Sequence, residues 1–359
     1  MSDPLASDPV VAVLDEIVKT TTIPSASVCV RSLKAGVGQT VVHHSAGMAR
    51  LDPAQPVSLN QVYDLASVTK ALAASTVAAS LVEQGRLDLH SPVAEHLPMV
   101  DPRITLAQLL THSSGLPKWN NFYDRTTAPW GTTEARQQVI ELALNTAVQE
   151  EPGSTHIYTD IGFITLLALL EKVGDKRLDT LFSERILAHV PDVDLRWGWP
   201  EAAATEDCPV RGGVVQGQVH DLNCVSLGGV STHAGLFGSS LSVALLGEAL
   251  LGATVTPETS MLPGKTLKSL WDLKGAGSHV GGWDTPTRGG YTSTGQFFPD
   301  DAIGHLGYTG TSLWIVPSWG LVVAFLTNRV HPVDHLRHIR PARPQLHDAV
   351  ASHCVRSAK

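Results

Sequence analysis

The stretch Asp64-Leu65-Ala66-Ser67-Val68-Thr69-Lys70 contains the pattern Ser-x-x-Lys, on which both the predicted fold and the predicted function depend. The Ala- and Leu-rich segment that follows predicts a helix over residues 67–82, which Gly85 ends. On a helix, Ser67 and Lys70 lie on one face with their Cβ atoms about 5–6 Å apart. A serine hydroxyl is a weak nucleophile until a base takes its proton, and a neutral lysine one turn away can do so.

Because Ser-x-x-Lys also occurs by chance in surface helices, the neighbouring residues matter. The apolar residues around Ser67 predict that the N-terminus of this helix is buried. A buried helix N-terminus offers free N–H groups and the positive end of the helix dipole. We expect both to favour an oxyanion at Ser67 and to lower the pKa of Lys70.

Two further motifs complete a candidate active site. Tyr158-Thr159-Asp160 follows Pro152-Gly153, and a tyrosine near a serine–lysine pair can relay a proton to the leaving group. His305-Leu306-Gly307 stands just before a predicted strand at 312–317. Gly307 would let a substrate backbone approach the sheet edge closely, and His305 would add a hydrogen-bond donor at near-neutral pH.

The composition indicates a soluble globular chain. Of 359 residues, 43% are apolar and 17% are Asp, Glu, Lys or Arg, the net charge is −8 and the mean hydropathy is +0.05, which excludes a disordered or fibrous chain. A nucleic-acid partner is not expected, because the basic excess is confined to a short stretch at 331–347. The apolar stretch at 71–82 is too short for a membrane span, which needs about 20 residues.

The N-terminus and the cysteines bear on the compartment. The first residues lack the basic and apolar regions of a signal peptide, so we expect the chain as given to be cytoplasmic, or periplasmic or secreted if a leader was removed. The four cysteines are far apart, show no zinc-like spacing and are expected to be reduced thiols: Cys29, Cys208, Cys224 and Cys354.

Familiar metal and cofactor motifs do not occur in the sequence. GxSxG, HExxH and GxGxxG are absent, and Gly264-Lys265-Thr266 lacks the first glycine of a phosphate loop, since Thr259 stands there. The pairs His43/His44 and His335/His338 have neither a carboxylate nor a third ligand nearby. The sequence therefore predicts no metal and no cofactor.

The predicted elements give an α/β fold. Periodicity and turn residues predict strands at 27–33, 39–45, 312–317 and 321–327, and helices at 8–19, 67–82, 105–112, 133–146, 161–173 and 346–355, with loops dominating 196–240 and 252–312. Strands from the two ends of the chain can pair only within one sheet. We therefore predict an antiparallel sheet flanked by terminal helices, with an inserted mostly helical lobe. The whole chain forms one domain, with a sheet lobe of about 1–75 and 265–359 and a helical lobe of about 76–264.

These motifs, in this order, resemble the serine β-lactamase and penicillin-binding-protein superfamily. The similarity is to the branch of class C β-lactamases, D-alanyl-D-alanine carboxypeptidases and esterases. It spans about residues 60–335 and includes further segments: LLTHSSGL at 109–116, VHD at 219–221, GGV at 228–230, HAGLF at 233–237, GHLGYTGT at 304–311 and LTNRVHP at 326–332. The resemblance implies the β-lactamase/transpeptidase-like fold, with a cleft between the lobes.

The resemblance also implies roles for single residues. Ser67 would be the acylated nucleophile, Lys70 its base and Tyr158 the proton relay, while His305 would stand where many relatives have lysine. The backbone N–H groups of Ser67 and Tyr308 would form the oxyanion hole. The substrate would also meet three neighbours of these groups: Asp160, Leu306 and Gly307.

Two positions depart from the family pattern. Asp160 replaces an asparagine, and a carboxylate near Lys70 would raise the lysine pKa. Either Asp160 is turned away or protonated, or Tyr158 takes more of the work of the base. Leu306 replaces a hydroxyl residue that helps hold a substrate carboxylate. Three residues are candidates to compensate: Thr309, Thr311 and Arg288.

For the other histidines near these motifs, a structural role is favoured over a catalytic one. We expect His112 to be packed, His233 to anchor a loop or lie near the pocket, and His220 and Asp221 to form a hydrogen-bonded pair. The predicted function is a serine hydrolase that forms an acyl-enzyme with a small-molecule or peptide substrate. The favoured substrate is a D-amino-acid peptide or amide of cell-wall type; the alternatives are a short-chain esterase and a weakly turning-over protein that binds penicillin or murein fragments.

Overall fold

A computed structural model describes residues 8–34, 36–334 and 336–356. Ala35, between the predicted strands at 27–33 and 39–45, and His335, in one of the histidine pairs, lie outside the described residues, as do the first seven residues. The strands are β1 Ser25–Lys34, β2 Val37–Arg50, β3 Gln55–Pro56, β4 Val62–Asp64, β5 Leu195–Trp197, β6 Asp207–Cys208, β7 Gly213–Val214, β8 Leu236–Ser239, β9 Ile303–Leu306, β10 Ser312–Val316 and β11 Leu321–Thr327.

The helices supply most of the middle of the chain. They are α1 Pro9–Thr20, α2 Thr76–Glu83, α3 Leu106–Leu110, α4 Thr133–Leu144, α5 Asp160–Gly174, α6 Leu178–Arg185, α7 Leu222–Ser226, α8 Ser240–Val255, α9 Gly264–Trp271 and α10 Leu336–Arg356. A π-helix, Lys70–Ser75, precedes α2 directly. Within the described ranges, no helix is both long and apolar enough to cross a membrane.

The main sheet has six antiparallel strands in the order β3-β2-β1-β11-β10-β9. The two ends of the chain meet at its centre, where β1 pairs with β11 from Ala26 opposite Thr327 to Ser32 opposite Leu321. The terminal helices α1 and α10 cover one face, where Val10, Leu14 and Leu346 pack on the sheet. Helix α8 covers the other face. The predicted antiparallel sheet with flanking terminal helices is therefore confirmed, whereas the bounds of the two lobes remain a prediction.

Several elements differ from the prediction. The predicted helix over 67–82 is a tight turn, a π-helix and α2 in succession. The predicted loops contain α9 and β9, no element was predicted for most of α8, and α10 begins at 336 rather than 346. Helix α8 is missed because it is apolar on nearly all sides, so it has no amphipathic period to detect. The start of α10 is hidden by Pro341 and Pro344, which normally argue against a helix interior.

Candidate active site

A strained turn presents the hydroxyl of Ser67. Ala66, directly before it, has a φ of 47°, which is unusual for a residue with a side chain. Asp64 holds this turn, because its Oδ1 accepts from the Ala66 N–H at 2.8 Å and its Oδ2 accepts from the His220 N–H at 2.7 Å. The N–H of Lys70 then donates to the Ser67 carbonyl at 3.0 Å. The turn thus places Ser67 and Lys70 on one side, as the spacing predicts.

Lys70 is fully buried and all three of its ammonium protons have acceptors. Nζ donates to Asp160 Oδ1 at 2.6 Å, to Ser67 Oγ at 2.9 Å and to the His233 carbonyl at 3.1 Å. Burial alone lowers the pKa of Lys70, but the charge of the Asp160 carboxylate and its hydrogen bond to Nζ outweigh burial, so the pKa lies above its ordinary value. The expected lowering of the Lys70 pKa is therefore wrong. The alternative in which Asp160 is turned away from Lys70 is also wrong. Lys70 is thus an ammonium at rest.

Tyr158 stands beside this pair and is also in its protonated form. Its side chain is half-buried, and Lys70 Nζ lies 4.9 Å from the ring centroid. Burial raises the pKa of Tyr158, and the positive charge of Lys70 only partly offsets this. Thr159, the next residue, holds the backbone beside Tyr158 because it caps α5, with its hydroxyl accepting from the Gly162 N–H at 3.0 Å. Asp160, the first residue of α5, is thereby aimed at Lys70.

His305 lies on β9, the edge strand of the main sheet. Its Nδ1 is 2.8 Å from the Leu306 carbonyl, which can only accept, so the ring proton is on Nδ1 and Nε2 is a bare acceptor. Burial is the main reason that the pKa of His305 lies well below its usual range. His305 is therefore neutral. It neither supplies the expected donor through Nε2 nor replaces the charge of the relatives' lysine.

The residues after His305 pack closely against the turn that holds the nucleophile. A Cβ on Gly307 would lie 1.9 Å from Thr311 Oγ1 and 2.5 Å from the Leu65 carbonyl, so the chain itself, apart from any substrate, requires glycine here. The side chain of Tyr308 is half exposed, and its hydroxyl donates to Asp334 at 2.6 Å. Leu306 lines the pocket.

The three residues expected to compensate for Leu306 are engaged elsewhere. Thr309 donates to the Asp64 carbonyl at 2.7 Å, Thr311 donates to the Leu65 carbonyl at 2.9 Å, and Arg288 pairs with Asp300 at 2.6 Å. Thr309 and Thr311 thus anchor the turn before Ser67, whereas Arg288 lies in an exposed ion pair and does not line the pocket.

Arg343, on α10, is a pocket residue that the sequence motifs do not reveal. Its guanidinium is buried and donates to the carbonyls of Gly307 and Thr311, each at 2.8 Å. Within the described part of the chain it forms no ion pair with a carboxylate. Burial lowers the pKa of Arg343 to about 10, so it remains a cation at neutral pH. The only sequence signal is the Arg/His stretch at 331–347, in which no single residue stands out.

The site opens into a cavity of about 890 Å³. Ser67, Tyr158 and Asp160 line it together with residues 305–308, so the structure brings these predicted site residues to one place, with the buried Lys70 behind Ser67. Arg329 lines the same cavity but pairs with Asp334. The wall also carries apolar groups and further acids: Trp119, Tyr123, Val219, Leu222, Glu206, Asp221 and Asp284.

The histidines expected to be structural are all in contact with this site. His112 packs on Tyr158 and Phe163, with ring centroids 4.4 and 4.9 Å apart. His233 both lines the pocket and bridges Ser231 and Asp221, at 2.7 and 2.8 Å. The expected pair of His220 and Asp221 is wrong: Asp221 bonds His233, and His220 lies 3.2 Å from Glu206.

A family model described as Beta-lactamase matches residues 10–346. An N-acetylmuramyl-L-alanine amidase of Bacillus subtilis is 29% identical over 330 residues, 83% of this chain and 74% of that protein. A Salmonella paratyphi A protein with the provisional name D-alanyl-D-alanine carboxypeptidase is 28% identical over 303 residues, 76% of this chain and 70% of its own length. Among solved structures, EstCE1, a hydrolase with promiscuous acyltransferase activity, has a TM-score of 0.74 at 18% identity, covering 97% of this chain and 100% of its own. The likeness to EstCE1 shows a shared fold.

Proposed function

Because this chain belongs to the beta-lactamase family, as its ordered motifs predict, we propose that it cleaves the terminal amide bond of a short D-amino-acid peptide of cell-wall type. Membership and the relatives make the chain a serine hydrolase of the β-lactamase and penicillin-binding-protein type. The proposal adds the substrate and the roles of the residues. Two relatives have names that refer to cell-wall peptides, which supports the choice of substrate class.

In the proposed reaction, Ser67 Oγ attacks the amide carbonyl and an acyl-enzyme forms as the amine leaves. The Lys70 ammonium cannot accept the Ser67 proton, so it must first lose a proton to solvent, a loss that the charge of Asp160, 2.6 Å away, opposes. The neutral Lys70 amine then takes the Ser67 proton. Tyr158 gives its own proton to the leaving amine, and Lys70 passes the proton from Ser67 to Tyr158. Water completes the cycle by hydrolysing the ester.

The proposed site needs donors for the oxyanion and a positive charge in the pocket. The backbone N–H groups of Ser67 and Tyr308 are proposed to bind the oxyanion. His305 contributes a neutral acceptor through Nε2, so the positive charge that many relatives have at this position must come from another residue. Arg343, which lines the pocket and bonds to the carbonyls of Gly307 and Thr311, is our candidate for this charge.

The buried guanidinium of Arg343 is the observation that supports a carboxylate-bearing substrate. A buried cation is costly unless an anion pairs with it, and Arg343 has no such partner among the described residues. The free carboxylate at the end of a peptide would supply that partner, whereas a neutral ester would not. Arg343 would thereby replace the hydroxyl group that Leu306 lacks.

The test compares a peptide ending in D-Ala-D-Ala with its C-terminal amide. We expect wild type to prefer the free acid, and Arg343→Met to lose about tenfold or more of kcat/KM on the acid alone, since a charge-assisted hydrogen bond contributes roughly 1.5–3 kcal/mol. Arg343→Lys should keep part of the preference, and Ser67→Ala should abolish turnover of both. An equal loss on acid and amide would mean that Arg343 only supports the fold.

An esterase is the second candidate, because the pocket wall carries Trp119, Val219 and Leu222 and has Leu306 where relatives have a hydroxyl. A p-nitrophenyl ester that is hydrolysed faster than either peptide, in a manner unaffected by Arg343→Met, would favour it. The third alternative is a binding protein that hardly turns over. It is tested by incubating the chain with a fluorescent penicillin and following the intact mass over time, and a long-lived acyl-enzyme would indicate such a protein.

A further inference from the structure

Three histidines from distant parts of the chain converge beside the proposed catalytic residues. His112, His279 and His305 are buried, and each offers a ring nitrogen within 4.8 Å of the others. They come from the end of α3, a loop after α9 and strand β9, so they are far apart in the sequence and no motif spacing predicts the cluster. Histidines that are close in sequence predict no metal site, and such pairs do not reveal this cluster.

Two nitrogens in the cluster are buried without a hydrogen-bond partner. These are Nε2 of His112 and Nε2 of His305, within the described residues. A buried polar atom without a partner is costly, so such an atom usually has a function or an unseen ligand. Two unpartnered imidazole nitrogens close to a third imidazole are the arrangement that a metal ion would satisfy.

The outer contacts of two histidines suit metal binding. His305 donates its Nδ1 proton to the Leu306 carbonyl, which leaves the Nε2 lone pair for an ion. Nδ1 of His279 lies 3.0 Å from Nε2 of His156, and a proton on Nδ1 that is donated to this nitrogen leaves Nε2 of His279 available. A backbone carbonyl, as at His305, is one of the usual orienting partners of metal-ligating histidines.

His112 is a weaker third ligand. Its Nδ1 accepts from the Thr159 N–H at 3.0 Å, so the proton of the neutral ring is on Nε2. To bind an ion through Nε2, the ring must move that proton to Nδ1 and give up this hydrogen bond. We therefore expect His112 to contribute less affinity than His279 or His305.

We propose that His279 and His305, with His112 as the third ligand, bind a divalent first-row transition-metal ion such as Zn²⁺. Three imidazoles without carboxylates select zinc, cobalt, nickel or copper over magnesium or calcium. The nearby Lys70 ammonium opposes binding, but Asp160 balances its charge.

The ion has a path to the cluster and an open coordination position. His279 and His305 line the cavity that also holds Ser67 and Tyr158. The ring centroid of Tyr158 lies 5.3 Å from that of His279 and 6.1 Å from that of His305. A fourth ligand, water or a substrate atom, would come from the cavity side. Metal binding can be measured without substrate.

The experiment titrates the metal-free full chain with Zn²⁺ by calorimetry and with Co²⁺ by visible spectroscopy. We expect one ion per chain and the strong visible bands of four- or five-coordinate Co²⁺. His305→Asn keeps a donor for the Leu306 carbonyl, and His112→Asn keeps an acceptor for the Thr159 N–H, so each removes one ligand atom and retains its structural bond. His279→Asn completes the series.

The expected losses of affinity are about tenfold or more for His279→Asn and His305→Asn, and smaller for His112→Asn. His220→Asn, a pocket histidine outside the cluster, is the matched control and should bind as wild type does. The proposal is overturned if wild type shows no saturable binding up to about 1 mM Zn²⁺. It is also overturned if the double variant of His279 and His305 binds as tightly as wild type.

Discussion

Lys70 is held in a state that opposes its proposed role. Its three donors are met by Asp160, Ser67 and the His233 carbonyl, and the carboxylate keeps the side chain charged. An ammonium can position the Ser67 hydroxyl but cannot take its proton. The substitution of aspartate for the family's asparagine at position 160 therefore makes the proton balance of this pair the first question about the site.

Asp160→Asn should shift the pH dependence of the reaction. The pKa of Lys70 is raised because the charge of Asp160 outweighs desolvation, so removing the carboxylate lets desolvation lower the pKa. Because the reactive form has a neutral Lys70, the acid limb of kcat/KM should move to lower pH. Glu206→Gln, which removes a pocket carboxylate paired with His220, should leave the limb in place. An unmoved limb in Asp160→Asn would contradict the role given to this carboxylate.

Lys70→Ala and Tyr158→Phe should each slow acylation strongly, and the double variant should be little slower than the worse single one. The two side chains are adjacent, with Nζ 4.9 Å from the ring centroid, and are proposed to move one proton in sequence. Groups that act as one unit give non-additive losses. Acylation rates measured by stopped-flow with a fluorescent penicillin check this. Fully additive losses would show that the residues act separately.

The elements that the sequence predicts well have a clear local signal. The central strands β1, β10 and β11 are short, apolar and bounded by turns, and α5 begins at the capping residue Thr159. The same holds for Ser67, Lys70 and Tyr158, whose motifs lie on or beside such elements. Their convergence on one cavity is therefore a consequence of elements that can be recognised in the chain.

The rest of the site depends on long-range packing and has no local signal. Arg343 reaches the pocket only because α10 crosses the sheet end near Gly307, and His279 belongs to a loop whose path follows from neighbouring elements. The direction of the Lys70 pKa shift also needed the 2.6 Å contact with Asp160, since burial and charge act in opposite directions. Distances decide such balances, and sequence motifs contain no distances.

Gly307→Ala tests the contact between the end of β9 and the nucleophile turn. The added Cβ would lie 2.5 Å from the Leu65 carbonyl, two residues before Ser67, and backbone cannot yield as a flexible side chain can. Such overpacking costs typically about 1–3 kcal/mol, so both Tm and kcat/KM should fall. Gly290→Ala is the control, because its Cβ would meet nothing within 4 Å. A Gly307→Ala enzyme with wild-type Tm and activity would show that this contact is not needed.

At the scale of the whole molecule, the site is assembled from nearly the full length of the chain. Ser67 follows β4, Asp160 begins α5, His233 precedes β8, His305 lies on β9 and Arg343 on α10. The sheet that carries this arrangement is closed by pairing β1 with β11, near the two ends of the chain. The pocket therefore forms only when the complete fold forms, and conditions that weaken the fold should weaken the site with it.

Acidification is one such condition, because this fold encloses several neutral histidines. His347 is fully buried against Phe298 and Phe325, its Nδ1 donates to the Ser293 carbonyl at 2.6 Å, and burial, aided by the charge of Arg343, lowers its pKa to about 4. In the unfolded chain the ordinary value is about 6.5, so below that pH the unfolded state binds the proton more readily. The stabilisation from His347 is complete above pH ~6.5 and is lost as pH falls towards ~4.

The predicted loss of unfolding free energy from His347 over this window is about 3 kcal/mol, since one pKa unit corresponds to about 1.4 kcal/mol. Urea unfolding between pH 7 and pH 4.5 should therefore show stability falling with pH. His347→Asn retains a donor for the Ser293 carbonyl but does not titrate, so its curve should be flatter by nearly one proton. His90→Asn, at an exposed histidine, should keep the wild-type slope. If His347→Asn kept that slope as well, the acid sensitivity would have to come from other groups, such as the buried histidines of the active site.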